Sequence, residues 1–283
     1  MDESFIKSIF KPRKISSRKG DNGIALVVGG NRFYHGAPIL ATLAALRTGT
    51  DLVYTAVPKS NLLPTKSFSP DFIVLPLADE KLTTGASNKL INAIPKIPHS
   101  ATIGMGLSVR PEALKNLIEK LLDKGTKLVL DASSLIPEIL PTIQDTHTII
   151  TPHGGEFIRI FQEQLSNNIN EQASKVKSLA KNYGINIVLK GYNNIISDGS
   201  DTVVIKRSTP AMTVGGIGDI LAGLIAGNLT KNNQMESSIL GVFINGKACF
   251  NAFKKFGLHI LASDVIKELP LVMKEYDIID HEE

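Results

Sequence analysis

The residues best suited to chemistry are Gly215-Gly216-Ile217-Gly218-Asp219, which run into the apolar stretch Ile220-Leu221-Ala222-Gly223-Leu224-Ile225-Ala226-Gly227. Glycines let a backbone loop close around an anion, and the first turn of a helix offers unpaired N–H groups and a positive dipole end. A carboxylate among such amides suits phosphoryl transfer, because the amides meet negative charge while the acid takes a proton from the attacking hydroxyl. Asp219 would equally serve as an ordinary N-terminal capping residue. Two features favour the chemical role. Two glycines stand where one would make the turn, and the following helix is apolar on every side and hence buried.

Three further loops carry candidates. Gly29-Gly30-Asn31-Arg32-Phe33-Tyr34-His35-Gly36-Ala37-Pro38 follows a β-branched run but is not the G-x-G-x-x-G dinucleotide fingerprint. Thr151-Pro152-His153-Gly154-Gly155-Glu156 follows another strand and contains a histidine able to orient a substrate, though a lone loop histidine is more often solvated. Ile103-Gly104-Met105-Gly106-Leu107 is a weak G-x-G after a third. Loops that follow parallel strands gather on one edge, so together they describe one cleft. Gly241-Val242-Phe243-Ile244-Asn245-Gly246-Lys247-Ala248 nearly fits a phosphate-binding P-loop. It lacks the terminal hydroxyl and lies in a helical pattern, so it reads as helix packing.

The elements that must position these loops alternate. Ile24–Val28, Asp51–Val57, Phe72–Leu75, Ala101–Ile103, Lys127–Asp131 and Thr148–Thr151 read as buried strands, with helices over Ala37–Arg47, Ala86–Ile94 and Pro111–Lys124 between them. Such alternation predicts an α/β fold with a mostly parallel sheet covered on both faces. Asn186–Lys190, Ile195–Asp198 and Thr202–Lys206 then form a short β-meander. Helices over Gly216–Gly227, Glu236–Phe253 and Ala262–Lys274 close the pattern. With no low-complexity linker and no repeat, residues 1–283 are expected to form one domain.

The composition is that of a globular chain. Of 283 residues 43% are hydrophobic and 20% charged, and 31 basic against 27 acidic residues leave a net charge of +4. That balance suits anionic small molecules and does not call for nucleic acid. The basic arm from Lys7 to Lys19 has no aromatic platform and reads as solvated, apart from Arg18-Lys19-Gly20-Asp21, which leads into the first strand. Cys249 is the only cysteine, which excludes an intrachain disulfide and points to a reducing compartment. Scattered histidines give no zinc-site spacing, and no apolar run approaches the roughly 18 residues of a membrane span. No signal peptide is recognisable, so a soluble cytoplasmic protein is expected.

Several motifs occur together in one order: Lys19-Gly20-Asp21-x-Gly23, Gly29-Gly30, Tyr34-x-Gly36-Ala37-Pro38, Ala44-Ala45-Leu46-Arg47, Thr151-Pro152-His153-x-Gly155-Glu156, Lys190-Gly191 and Gly216-x-Gly218-Asp219-x-Leu221-Ala222-Gly223. In this the chain resembles the ADP-dependent NAD(P)H-hydrate dehydratases of the ribokinase-like superfamily, from about Lys19 to about Lys274. The G-x-G-D alone indicates the superfamily; the Tyr-x-Gly-Ala-Pro and Thr-Pro-His-x-x-Glu pair is more specific. Many relatives carry an N-terminal epimerase domain, for which a first strand near Ile24 leaves no room.

The resemblance implies repair of NADH or NADPH that has added water at ring carbon 6 (NADHX and NADPHX). The hydroxyl is phosphorylated by ADP, or ATP, with Mg2+, and phosphate then leaves. It implies Asp219 as the base, the amides of Gly216, Ile217 and Gly218 as an anion hole, and Ala37, Gly106, His153 and Asp219 around the hydrate. Lys190, Gly191, Tyr192, Asn193, Asn194 and Gly218 fall on the adenine-nucleotide side, and Glu156 where it could organise magnesium through water; no metal ligand is otherwise assigned. A homo-oligomer, in this family a tetramer, is implied too. The chain departs from the family in Gly154 for Pro, Asn194 for Thr, Met105 and Ser108 for Pro and Gly, and Asp131-Ala132-Ser133-Ser134 for Asp-Ala-Asp-Ala, which loses one carboxylate. A vitamin-type kinase of the same superfamily would share G-x-G-D but lack the more specific pair. A non-catalytic nucleotide sensor would have little reason to keep Asp219.

Overall fold

The computed structural model describes residues 3–281. A helix α1 (Glu3–Ile9) and a strand β1 (Arg13–Lys14) precede β2 (Ile24–Val28), α2 (Gly36–Arg47), β3 (Leu52–Pro58), α3 (Lys59–Phe68), β4 (Ile73–Leu77), α4 (Thr84–Ala93), β5 (Ser100–Ile103) and α5 (Pro111–Leu122). Next come β6 (Lys127–Leu130), α6 (Leu140–Ile143), β7 (Ile149–Ile150), α7 (Gly154–Phe161), α8 (Ile169–Tyr183), β8 (Asn186–Leu189), β9 (Asn193–Ser197) and β10 (Thr202–Lys206). The last elements are α9 (Ile217–Leu229), α10 (Gln234–Phe256), α11 (Ala262–Met273) and β11 (Ile279–Asp280).

A nine-stranded sheet in the order β10-β9-β8-β7-β6-β5-β2-β3-β4 forms the centre. From β8 to β4 every pair is parallel, while β9 and β10 add antiparallel at the β8 edge. The strands are apolar on both faces because helices cover both. Ile24, Leu26, Val28, Leu128 and Leu130 face a core shared with Leu114, Leu117, Phe157 and Val176 of α5, α7 and α8. Val129 points the other way, toward Ile220 and Leu224 of α9 and residues of α10 and α11. Ala25 and Val27 meet Ala41 and Ala45 of α2 on that side. Helices α2 and α9 approach closely because Gly223 sits against the backbone of Ala41, and any Cβ at Gly227 would stand 2.8 Å from the Ala45 carbonyl.

The mostly parallel sheet, its two helical layers and the antiparallel meander are as the sequence predicts, with element ends moved by a few residues. Helices α1, α3, α6, α7 and α8 and the β1–β11 ladder are additional. Strand β2 leads to β3 and β4 on one side, whereas β5 crosses back to its other side and leads on to β6, β7 and β8. The order therefore reverses between β2 and β5, and in open α/β sheets ligands bind outside the carboxyl ends of the strands at such a point.

Candidate active site

The loops after β2 and β5 are tied together at this reversal. Gly30 N–H donates to the Met105 carbonyl at 2.9 Å. Asn31 Oδ1 accepts from the N–H groups of Phe33 and Tyr34 and turns the chain into α2. Gly106, at φ +65°, lies under this turn; a Cβ there would stand 2.7 Å from Tyr34 Cβ and 3.4 Å from Ala37 Cβ. The structure thus places Ala37 and Gly106 in one wall. Met105 is fully buried against Gly29.

The loops after β6, β7 and β8 make the charged part. Asp131 directly follows β6 and is buried. Its Oδ1 accepts from Thr151 Oγ1 at 2.7 Å and from Lys190 Nζ at 2.7 Å. Lys190 also lies 3.7 Å from Glu156 Oε2. Burial is the largest single influence on the Lys190 ammonium and lowers its pKa, but Asp131, Glu156 and Asp219 together outweigh it and hold the pKa above its usual value. Ser133 uses its hydroxyl to donate to the Gly104 carbonyl at 2.7 Å and so braces the β5 loop.

His153 caps α7. Its Nδ1 accepts from Gly155 N–H at 3.0 Å and Glu156 N–H at 3.3 Å, while its own N–H donates to Glu156 Oε2 at 2.8 Å, a reciprocal capping box. An accepting Nδ1 places the ring proton on Nε2, which lies 3.5 Å from Glu156 Oε1 on a side chain 60% exposed. Lys190 N–H donates to the Pro152 carbonyl at 2.7 Å, which joins the β7 and β8 loops.

Asp219 stands in the first turn of α9 without capping it. The cap position is Gly216, in the left-handed region at φ +96°, where a Cβ would meet Leu40 and Ala262. The Asp219 carboxylate takes no hydrogen bond among the described residues. Its pKa is pushed up to about 7, first by burial and then by the Asp131 carboxylate, with the Lys190 ammonium opposing. Such a group exchanges a proton at neutral pH. Ile217 N–H reaches the Val214 carbonyl at 3.4 Å, but the N–H groups of Gly218 and Asp219 meet no acceptor among the described residues. Lys190 Nζ lies beside Gly218, 3.6 Å from where a Cβ would stand. Backbone amides and an ammonium therefore converge next to a carboxylate that can be protonated or not.

The 190–194 turn borders this point. Tyr192 is 61% exposed with Lys206 Nζ 5.1 Å from its ring centroid, and Asn193 begins β9. Asn194 is buried; its carboxamide accepts from Gly191 N–H and donates to the Ile205 carbonyl, both at 3.3 Å, so this side chain holds the turn. Asp131 and Thr151 had no role in the sequence reading. A polar residue directly after a parallel strand was the signal that both offered. The near P-loop lies inside α10, with Gly241 against Ile225 of α9 and Lys247 paired to Glu275 at 2.6 Å.

Among the described residues no group of three or more His, Cys, Asp or Glu side chains is disposed to hold a metal ion. Magnesium usually takes one or two carboxylates and fills its remaining positions with water and substrate phosphates. Glu156 and Asp131, both beside Lys190, are the carboxylates present at this point.

A profile of the NAD(P)H-hydrate dehydratase family matches residues 25–271. The chain belongs to the NAD(P)H-hydrate dehydratase family. It is 51% identical over 278 residues to the ADP-dependent (S)-NAD(P)H-hydrate dehydratase of Nitrosopumilus maritimus, a match covering 98% of this chain and 97% of that one. A ribokinase-like superfamily protein from Enterococcus faecalis superimposes with a TM-score of 0.81 at 23% identity, over 98% of this chain and 95% of its own. An ADP/ATP-dependent NAD(P)H-hydrate dehydratase from Bacillus subtilis, co-crystallized with ATP and Mg2+, superimposes at 0.84 and 23%, over 98% of each chain. The two superpositions establish the ribokinase-like fold of this family member; the sequence match carries the family. No helix among the described residues is long and apolar enough to cross a membrane.

Proposed function

We propose that the protein converts the S form of NADHX and NADPHX back to NADH and NADPH in an ADP-dependent dehydration, with ATP as the alternative co-substrate. One observation carries this reading: Asp219, with a pKa of about 7, stands beside unpaired amides of its own helix start and the Lys190 ammonium. Hydroxide is a poor leaving group, so the hydroxyl on carbon 6 must first be activated. Asp219 takes the hydroxyl proton while the oxygen attacks the terminal phosphorus of the nucleotide. The bond from that phosphorus to its bridging oxygen breaks, and the nucleotide departs one phosphate shorter.

The N–H groups of Gly218 and Asp219 and the Nζ of Lys190 stabilise charge on the transferring phosphoryl oxygens. The ring nitrogen then expels phosphate from carbon 6, and loss of a proton from carbon 5 restores the dihydropyridine. With ADP the products are NADH, AMP and phosphate. Ala37 and Gly106 shape one wall for the hydrate, and His153 offers Nε2–H from the cap of α7. Gly191 to Asn194 supply the nucleotide edge, with the exposed Tyr192 ring available for stacking. A magnesium ion carried by the nucleotide would neutralise charge on its phosphates, and Glu156 is the carboxylate placed to help hold it.

A single domain carries all of these groups. A reducing, cytoplasmic setting suits the lone, buried Cys249, and family resemblance supports a homotetramer. The test mixes the protein with purified S-form NADHX, Mg2+ and ADP or ATP and follows NADH absorbance alongside AMP and phosphate. Stoichiometric NADH, AMP and phosphate with ADP is the expected result. A stable phosphorylated product without NADH would instead indicate a kinase.

A further inference from the structure

The basic arm, which the sequence suggests is merely solvated, is built into the fold at the end of the sheet opposite the active site. Strand β1 pairs with β11 in a parallel two-stranded ladder. This ladder, the ends of α2 and α9 and one side of α11 enclose a cleft of about 370 Å3. Ligand pockets begin at roughly this size, about 300 Å3. Five cationic side chains line it, Lys11, Arg13, Arg47, Lys231 and Lys274, against the single carboxylate of Asp277.

Two of these cations have partners: Arg13 pairs with Asp51 at 2.8 Å and Lys11 with Glu236 at 3.2 Å. The side chains of Arg47, Lys231 and Lys274 make no hydrogen bond or ion pair within bonding distance among the described residues. Lys231 is half-buried, and burial followed by the Arg13 charge lowers its pKa, with the Asp51 and Asp277 charges opposing. A cation removed from water is costly unless an anion meets it.

Helix ends alone do not account for this charge. Cations are favoured at helix C-termini, but α9 already has one: Lys127 Nζ donates to the carbonyls of Leu229 at 3.3 Å and Asn232 at 3.1 Å. The Gly227 carbonyl is taken by Thr50 and Thr230. Lys231 is therefore surplus to the helix. The inner wall is apolar, with Phe10 stacked on Tyr276 at 4.8 Å between centroids and Met273 beside them. Cations at the mouth and an aromatic wall behind match an organic phosphate better than a bare ion.

We propose that this cleft is a second ligand site, binding a small phosphorylated metabolite with an aromatic or apolar portion, its phosphate held by Arg47, Lys231 and Lys274. It is distinct from the Asp219 site. Helix α2 carries Ala37 in its first turn and Arg47 in its last, and α9 carries Asp219 in its first turn with Lys231 just past its end. Helices of this length separate the two by about 18 Å.

Phenyl phosphate is the probe, titrated into methyl-labelled protein saturated with ADP. Met273 lines the cleft and Met105 lies by the active-site wall, so their methyl resonances report the two places separately. We expect a saturable shift of Met273. The Arg47→Gln/Lys231→Gln double variant should weaken that binding by about tenfold or more, as loss of charged hydrogen bonds does, while calorimetric ADP affinity stays unchanged. Lys274→Gln alters an exposed side chain, should weaken binding in the same direction, and keeps the test decisive if the double variant does not fold. No saturable shift at Met273, or equal binding by wild type and the variants, would overturn the proposal.

Discussion

Lys190 Nζ lies 2.7 Å from Asp131 Oδ1, and this pairing leaves Asp219 without a hydrogen-bonded cation. Three carboxylates, Asp131, Glu156 and Asp219, raise the pKa of one ammonium. Asp131 holds it most closely; burial first, and then the Asp131 charge, push the Asp219 pKa up to about 7 although a lysine stands near.

Asp131→Asn should move that balance. The variant removes a charge that raises the Asp219 pKa and frees Lys190 to turn toward Asp219, and both changes favour the Asp219 carboxylate. The acid limb of kcat/KM, expected near pH 7 for the wild-type protein from the Asp219 pKa of about 7, should shift to lower pH. A pH–rate profile measures this, and an unmoved limb would show that Asp131 does not poise Asp219.

The same titration links to stability. An acid whose pKa rises from 3.8 to about 7 on folding holds its proton better in the native state. The native state is therefore favoured at low pH and loses that advantage as pH rises from about 4 through 7. Asparagine has no such dependence, so Asp219→Asn should gain in melting temperature relative to wild type between pH 5 and pH 8, values that bracket about 7. A variant less stable than wild type by the same amount at both pH values would instead point to a plain capping role.

The sequence revealed the sheet, the helices around it and the Gly216–Asp219 turn, because buried parallel strands and glycine turns have strong local signatures. Helix α8 was not read from the sequence, although Asn168 caps it, Ala173, Val176 and Ala180 recur on one face, and Gly184 ends it. It is the crossover that parallel β7 and β8 require. Helix α3 was harder to see because Pro64 lies inside it. The Asp131–Lys190 pair joins residues 59 apart in sequence, and no periodicity encodes such a contact. The ladder from β1 to β11 is hidden for the same reason. His153 had two readings, and the structure adds a third, that of a helix cap.

That cap changes how His153 should be tested. His153→Ala removes both the imidazole and the acceptor for two backbone amides, a loss worth about 0.5–2 kcal/mol at an N-cap, and loosens Glu156. Asparagine is a good N-cap, so His153→Asn should keep the melting temperature near wild type. If Nε2–H holds the hydrate, His153→Asn raises KM for NADHX while calorimetric ADP affinity changes little. A normal KM in that variant would confine His153 to capping.

Lys247, in the near P-loop, should prove structural. Its ammonium pairs with Glu275 and donates to Tyr276 Oη at 3.2 Å. Lys247→Ala should leave ADP affinity unchanged and cost about 0–1 kcal/mol of stability, the range for exposed ion pairs. A large loss of ADP affinity in a folded variant would reopen the P-loop reading.

The most direct test of the proposed chemistry is the turnover of Asp219→Asn on S-form NADHX with ADP and Mg2+. Asparagine keeps the size of the side chain and cannot accept the hydroxyl proton at neutral pH. Turnover should fall by about 10²–10⁴-fold, the usual contribution of a general base, while ADP binds as well as before or slightly better because a negative charge near its phosphates is gone. An Asp219→Asn protein that turns over at the wild-type rate would contradict the assignment of Asp219 as the base.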